Sequence, residues 1–228
     1  SERVTELAQR VGRPLVLIAE SDLNDPVMIE PRTQGYGLDA QWDDDVHHAF
    51  HSALTGETFG YYCDFGSLTV LQKVLTRAFL HDGTYSTFRR RVHGRPVDLA
   101  RTPAWRFVES LQNHDQVGNR AQGERVSHEA GVGRAKIAAA LVLTAPFVPM
   151  LFQGEEFGAS SPFLYFTDYD DPELGRMISE GRKKEFVAFG WTPDQIPDPQ
   201  DDQTFLQSKL NWAETTEQPH RSLLQWHK

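Results

Sequence analysis

The sequence contains a single cysteine, Cys63, among its 228 residues. An intrachain disulfide and a zinc site built on several cysteines are therefore excluded. Basic residues are fewer than acidic ones, 23 against 32, which leaves a formal net charge of −9. This balance argues against a protein that binds the phosphate backbone of nucleic acids or an anionic membrane surface. The acidic, aromatic-rich composition instead suits a neutral, hydroxyl-rich ligand.

Long apolar runs are also missing. The longest stretch, Ile137 to Phe152, spans 16 residues and is interrupted by Pro146 and Pro149. It is too short and too broken for a transmembrane helix, so no membrane partner is expected. The first residues lack the apolar core of an export signal. With one cysteine and no such signal, the sequence favours the cytoplasm.

Both ends of the sequence have the pattern of a helix that has been cut. Helical spacing of apolar residues begins at once with Val4, Leu7 and Val11, and the last residues, from Ser222, begin another helix. We therefore expect the chain to be a segment of a longer protein.

Short apolar segments alternate with helical ones, which predicts an α/β fold with parallel strands. The predicted strands are four apolar runs bounded by turns or helices: Leu15–Ala19, Tyr36–Gln41, Arg106–Leu111 and Phe147–Phe152. The predicted helices have apolar residues at helical spacing: Asp43–Leu54, Leu68–Leu80, Glu129–Thr144 and about Asp171 to Phe189. The segment from Pro193 to Asp202 has three prolines and four aspartates and is expected to be a loop.

Polar side chains follow the predicted strands where each strand ends, and α/β enzymes place their chemistry at such carboxyl ends. Glu20 follows five apolar residues, so we expect a partly buried carboxyl group that suits a general acid. Asn113-His114-Asp115 follows the third strand, and a helix N-cap is the plainer alternative. Of Glu155 and Glu156, we expect at least one to pair with an arginine.

Three histidines, His47, His48 and His51, share one predicted helix. The spacing of His47 and His51 would allow both to face a metal ion. No glutamate follows His47 directly, and no third ligand is indicated elsewhere in the sequence. We therefore favour packing histidines and predict no metal site.

Four segments in this order resemble the α-amylase family of glycoside hydrolases, whose catalytic domains are (β/α)8 barrels. They are Leu17–Pro26, with Glu20 at the strand end; Gly35–Trp42; Gln112–Arg120, with Asn-His-Asp; and Leu164–Asp168. The resemblance covers nearly the whole chain. It implies that Glu20 is the acid/base catalyst and that Asp115 stabilises the transition state. His114 would hydrogen-bond the sugar, and the remaining implied substrate-binding residues are Asn113, Asp39, Trp42, Asp22 and Tyr165. For Asp39 we favour a structural role.

The sequence departs from the family at the nucleophile. The family's nucleophilic aspartate lies on barrel strand 4, before the acid/base residue, yet no aspartate precedes Glu20 here. Gly37 also stands where the strand-4 motif has arginine, so Asp39 does not replace that nucleophile. The fold expected by resemblance is the C-terminal half of the barrel, strands 5–8, in residues 1–158, followed by an extension in residues 159–228. The N-terminal half, with the nucleophile, is an expected partner.

The resemblance implies a substrate of maltooligosyl trehalose or a related α-glucan. A retaining enzyme would cleave the α-1,4 bond next to the trehalose end, with no cofactor and no metal. Two or three aromatic residues would stack on sugar rings, from the candidates Trp42, Tyr61, Tyr62, Phe65, Phe163, Tyr165 and Phe166. Three alternatives stay open: another α-glucan hydrolase, branching or debranching enzyme; a non-catalytic sugar-binding half-barrel; and a metal-dependent hydrolase using His47 and His51.

Overall fold

A computed structural model describes residues 2–187 and 191–228. The helices are α1 (Glu2–Val11), α2 (Asp44–Thr55), α3 (Leu68–Arg77), α4 (His114–Gly118), α5 (Val126–Thr144), α6 (Pro172–Val187), α7 (Asp202–Gln207) and α8 (His220–Trp226). The strands are β1 (Ile18–Ala19), β2 (Ala40–Trp42), β3 (Thr84–Ser86), β4 (Arg91–His93), β5 (Phe107–Glu109) and β6 (Val148–Pro149). None of the helices in the described residues is both long and apolar enough to cross a bilayer.

The described residues form two compact units. The first runs to Leu111 and also contains Ala140–Met150. The second comprises Gln112–Ala139 and the chain from Leu151 onward.

The first unit is built on a parallel sheet with the strand order β1-β2-β5-β6. Ile18 lies opposite Ala40, Gln41 opposite Phe107, and Val108 opposite Val148. The prediction of four parallel strands in an α/β fold is thus confirmed. Within the described residues the sheet does not close into a barrel.

The strands are shorter than predicted, and of the four residues in the outer two strands only Ala19 is buried. β1 and β6 have two residues each, and both residues of β6 are exposed. Each of these strands pairs with only one neighbour among the described residues, so one edge lacks backbone partners. Val16 and Ile18, at the β1 edge, are 64% and 49% exposed. The outer strands therefore carry apolar side chains that no described residue covers.

Helix α2 packs on the sheet, and its two ends are specified by local signals in the sequence. Asp43 caps its first turn by accepting a hydrogen bond from the backbone N–H of Val46, and Gly56 ends it with a φ of 83°. Glycine adopts this left-handed conformation without the Cβ clash that other residues meet. Val46 and Phe50 are buried in the core, where Phe79 also packs edge-on against Phe107.

The helix predictions agree with the structure apart from their ends and one interruption: Gly131, inside the predicted helix Glu129–Thr144, has a non-helical φ of 77° and breaks α5 into two segments. Helix α3 stops at Arg77, before the predicted Leu80, and α5 starts at Val126, before the predicted Glu129. Helix α6 is described to Val187, so its predicted end at Phe189 lies outside the described residues. The predicted loop from Pro193 holds a short 3-10 helix, Pro193–Gln195, and leads into α7. The antiparallel hairpin of β3 and β4 was not predicted, because its strands have only three residues each.

Candidate active site

The loop after β1 places Glu20 in the first unit. Glu20 is exposed, so the expectation of a partly buried carboxyl group is wrong for the structure described here. The strand before it is an edge with no further layer among the described residues, and its end therefore stays open to solvent.

A buried carboxylate, Asp45, anchors the far end of this loop. Its Oδ2 accepts hydrogen bonds from the Asn24 side-chain amide at 2.8 Å and from the backbone N–H groups of Leu80 and His81 at 2.8 and 2.9 Å. Asn24 is itself buried and has a φ of 51°. One carboxylate oxygen thus joins the Glu20 loop, α2 and the turn after α3.

We expect Asp45→Ala to destabilise the chain by about 3 kcal/mol, because three buried donors lose their acceptor. Urea unfolding followed by circular dichroism measures the change. Asp44→Ala, which alters the neighbouring half-buried aspartate, serves as the control. Equal losses of stability in the two variants would show that the hydrogen bonds of Asp45 contribute no more to the free energy of unfolding than the side chain of Asp44 does.

Asp22 and Asp39 are both tied to protein groups. Asp22 Oδ2 accepts a hydrogen bond from the Arg89 guanidinium at 2.8 Å, and its backbone carbonyl lies 2.8 Å from His93 Nε2. Asp39 Oδ2 accepts from the backbone N–H of Leu17 at 2.8 Å, beside the β1–β2 ladder. These bonds agree with the structural role favoured for Asp39. Trp42, the last residue of β2, is half-buried.

The three histidines of α2 are buried inside the first unit. His47 Nδ1 lies 2.6 Å from the carbonyl oxygen of Leu111, and its Nε2 lies 3.3 Å from the Tyr62 hydroxyl. His51 Nε2 contacts the Glu57 carboxylate, and its ring stacks on Tyr62. Burial, with the charge of His51, lowers the pKa of His47 to about 3. Because both His47 nitrogens already have protein partners, the arrangement favours the packing role over metal ligation.

Three polar side chains on β2, β5 and the start of α2 are buried without hydrogen-bond partners for some of their atoms. They are Gln41 (Nε2), Asp43 (Oδ2) and Glu109 (both carboxyl oxygens), each at most 2% exposed, and no described residue bonds these atoms. Burial raises the pKa of Glu109 to about 8. Burial, followed by the charge of Asp45, raises the pKa of Asp43 well above its usual value. The sequence did not single out Glu109, since it lies inside the predicted strand Arg106–Leu111, whereas in the structure it is the last residue of β5.

The raised pKa of Glu109 predicts a pH-dependent stability. Below pH 4.5 the group is protonated in the folded and unfolded chain alike; between pH 4.5 and 8 only the folded chain keeps the proton. Stability from this group is therefore lost as the pH rises through that window. We expect Glu109→Gln to be more stable than the parent by up to about 5 kcal/mol at pH 8.5 and nearly equal to it at pH 4.5. Urea unfolding at both pH values measures this, with the exposed Glu6→Gln as control. A constant difference between parent and Glu109→Gln across the window would contradict the assignment.

The second unit carries the Asn-His-Asp motif at the start of α4. Asn113 is buried and caps α4: its side-chain oxygen accepts a hydrogen bond from the backbone N–H of Asp115 at 2.8 Å, and Gln116 completes a capping box. The side chains of His114 and Asp115 are 49% and 58% exposed, and His114 Nε2 lies 3.5 Å from Asp115 Oδ1. The N-cap alternative is thus correct for Asn113, while the next two side chains are left open to solvent.

The second unit contains a buried polar cluster around Arg125 and Glu155. Arg125 is fully buried, donates to the carbonyl oxygens of Ser161 and Gln153 at 2.8 and 2.7 Å, and lies over the Phe152 ring. Burial raises the pKa of Glu155 to about 8, although the Gln112 side chain and the charge of Arg125 oppose the shift. Arg125 feels the charges of Glu155 and Glu156, but Arg125 Nη2 and Glu155 Oε1 both lack a hydrogen-bond partner, so the salt bridge expected for one of these glutamates is not formed with Arg125 in the described residues.

Tyr165 is held by Arg182. The guanidinium of Arg182 lies 4.6 Å from the Tyr165 ring centre and 4.8 Å from that of Phe186, and it donates to the backbone carbonyl of Gly118 at the end of α4. Tyr165 remains 38% exposed. One face of its ring therefore has a protein partner, and a sugar could use only the other part of the ring.

A solved structure is similar to this chain in fold. The fold matches a putative α-amylase from Salmonella typhimurium with a TM-score of 0.84 and 38% sequence identity, over 98% of this chain and 39% of that chain. No protein-family model matches the sequence. The parallel sheet with polar strand ends is thus shared with an α-amylase-like glycosidase fold.

Sequence comparison is more specific. The chain is homologous to malto-oligosyltrehalose trehalohydrolases: it is 57% identical to that of Arthrobacter ramosus and 52% identical to that of Rhizobium sp. M-11, over 99% and 97% of its own length. The relative from Saccharolobus solfataricus is 49% identical over 86% of the chain. The chain spans 39% and 37% of the length of the first two relatives, so the match covers only part of each.

Proposed function

We propose that this chain is part of a retaining glycoside hydrolase that cleaves the α-1,4 bond next to the trehalose end of maltooligosyl trehalose. The observation that carries the proposal is the sequence match to malto-oligosyltrehalose trehalohydrolases, at 57% identity over 99% of the chain. The positions of the motif residues add support, because Glu20 follows β1 and the Asn-His-Asp motif follows β5, at the carboxyl ends of parallel strands.

In this proposal the four-stranded sheet corresponds to barrel strands 5–8. Residues 1–158 would form the barrel portion, and residues 159–228 the extension after the last strand. The exposed apolar residues at the two sheet edges support a continuation of the sheet by the remaining strands, since unpaired apolar edges are costly in water. Those strands would also supply the nucleophilic aspartate. The proposed compartment is the cytoplasm.

The proposed chemistry gives the two carboxyl groups different roles. Glu20 would protonate the leaving oxygen while the nucleophilic aspartate of the remaining strands attacks the sugar carbon, and Glu20 would then take a proton from the water that displaces this aspartate. Asp115 would stabilise the positive charge that develops on the sugar ring. His114, beside Asp115, would donate a hydrogen bond to a sugar hydroxyl. Asn113 would act through the backbone by fixing the start of α4.

A chimera tests the proposal directly. The segment of the Arthrobacter ramosus trehalohydrolase that matches this chain is replaced by residues 1–228, and product release from maltooligosyl trehalose is followed by chromatography. We expect free trehalose. Transferred branches or linear chains would favour another α-glucan enzyme of the same family, and a folded chimera that binds the substrate without turnover would favour a sugar-binding half-barrel.

A further inference from the structure

The second unit contains an open groove that includes two of the predicted stacking candidates, Phe163 and Phe166, but none of the predicted catalytic residues. Its volume is about 340 Å³, and its aromatic walls are Phe163, Phe166, Phe205 and Trp212. Phe205 is 44% exposed and Trp212 is 63% exposed. Large aromatic rings are costly to leave in water, and a concave patch of them commonly marks a binding site.

Three of these rings, Phe163, Phe166 and Phe205, form a continuous row, while Trp212 packs separately against Phe157 with centroids 5.6 Å apart. Phe163 and Phe166 have centroids 5.9 Å apart, and Phe166 and Phe205 have centroids 5.1 Å apart, both pairs meeting edge to face. The row continues inward from Phe163 to Phe152 at 5.0 Å. The ring positions are therefore fixed by mutual contact, and a ligand would meet a preformed surface.

Polar groups lie along the same groove. The Lys209 ammonium lies 4.9 Å from the Phe205 ring centre, and Lys209 is exposed. The Ser208 hydroxyl also lines the groove and accepts a hydrogen bond from the backbone N–H of Leu164, which joins α7 to the aromatic segment.

Among the described residues that line the groove there is no carboxylate, although the whole chain has a net charge of −9. The Ser208 hydroxyl already donates to the carbonyl oxygen of Thr204, so the donors open to a ligand are the exposed side chains of Gln153 and Lys209. Aromatic faces beside an amide and an amine suit the apolar faces and hydroxyl groups of a sugar chain.

The groove adjoins the helix that carries His114 and Asp115. The ring of Phe163 lies 3.7 Å from the position that a Cβ atom at Gly118 would occupy, and Gly118 is the last residue of α4. The backbone N–H of Phe163 also donates to the carbonyl oxygen of Gly123 at 2.9 Å. One wall of the groove thus packs directly on the end of the motif helix.

We infer that this groove binds a stretch of linear α-1,4-glucan, with glucose rings lying on Phe166, Phe205 and Trp212 and hydroxyl groups bonded to Lys209. This inference deepens the proposed function and rests on it, since it takes its ligand from the proposed substrate class. The groove would hold the glucan part of the substrate away from the bond that is cleaved, and it would favour long chains over short ones.

Maltoheptaose binding to the 228-residue chain tests the inference, measured by isothermal titration and by quenching of tryptophan fluorescence. We expect Phe205→Ala to weaken binding about tenfold, since the variant removes an aromatic platform. Leu206→Ala is the matched control: Leu206 is the next residue on α7 and 45% exposed, but it does not line the groove. A β-1,4-linked oligosaccharide of similar length serves as the control ligand.

A second variant covers the possibility that Phe205→Ala unfolds, which circular dichroism would reveal. Lys209→Ala removes an exposed amine and no buried group, and it should weaken maltoheptaose binding about threefold by losing one exposed hydrogen bond. Equal affinities of the parent, Phe205→Ala and Lys209→Ala would overturn the groove assignment, as would an absence of maltoheptaose binding by the parent.

The trehalose assay of the chimera is independent of these measurements. If the chimera releases trehalose but Phe205→Ala binds maltoheptaose as tightly as the parent, only the groove assignment is refuted. If Phe205→Ala weakens maltoheptaose binding but the chimera releases no trehalose, only the proposed reaction is refuted.

Discussion

Glu20→Gln in the chimera should lower the turnover of maltooligosyl trehalose by a factor of roughly 10²–10⁴, the usual contribution of a general acid. The amide has nearly the same shape as the carboxyl group but cannot protonate the leaving oxygen. Glu20 is exposed and follows the short edge strand β1, so the substitution should leave the fold of the first unit unchanged. Steady-state assays of trehalose release measure the effect.

The control for this prediction is a substrate that needs no proton to depart. On α-maltosyl fluoride, the fluoride ion leaves without general-acid help, so the first step of Glu20→Gln should be much less impaired than on the natural type of substrate. An equal loss on both substrates would show that Glu20 acts in some other way. Near-parental activity on maltooligosyl trehalose would remove Glu20 from the catalytic assignment.

Asp115→Asn should lower kcat in the chimera by roughly 10²–10³, with little change in KM. In the proposed reaction the Asp115 carboxylate stabilises a positive charge that develops only in the transition state. Its loss therefore affects turnover more than ground-state binding. The fold of α4 should persist, because its cap is the buried side chain of Asn113 and not Asp115, whose side chain is 58% exposed.

Asp202→Asn provides the matched control, since Asp202 is an exposed carboxylate in the first turn of α7 in the same unit. It should leave both kinetic constants at the parental values. If Asp115→Asn raised KM and left kcat intact, Asp115 would bind the substrate without stabilising the transition state.

The agreement between sequence and structure is best where local signals are strong. The N-cap Asp43 and the C-terminal Gly56 specify α2 within one residue, and the apolar runs locate all four strands of the parallel sheet. The agreement is poorest where a residue's surroundings come from distant parts of the chain. Glu20 was expected to be partly buried because of the apolar run before it, yet β1 is an edge strand and Glu20 is exposed.

Two further features could not be predicted from the sequence. Glu109 lies inside the predicted strand Arg106–Leu111 and before the polar residues that follow it, and only packing shows that both of its carboxyl oxygens are buried and without partners among the described residues. Phe205 and Lys209 lie about 40 residues beyond Phe163 in the chain, and their predicted surroundings gave no reason to connect them. Folding brings Phe163, Phe166 and Phe205 into one row.

The sequence by itself determined the order of helices and strands, the parallel sheet, and the motif residues that end two of its strands, because capping residues, apolar periodicity and motifs are local properties of the chain. Tertiary structure alone decided which carboxyl groups are desolvated, which polar groups hold Asp45 and Arg125, and which aromatic rings meet in a groove. Those properties depend on neighbours that are far apart in sequence, and burial changes the free energy of a charge far more than its sequence context does.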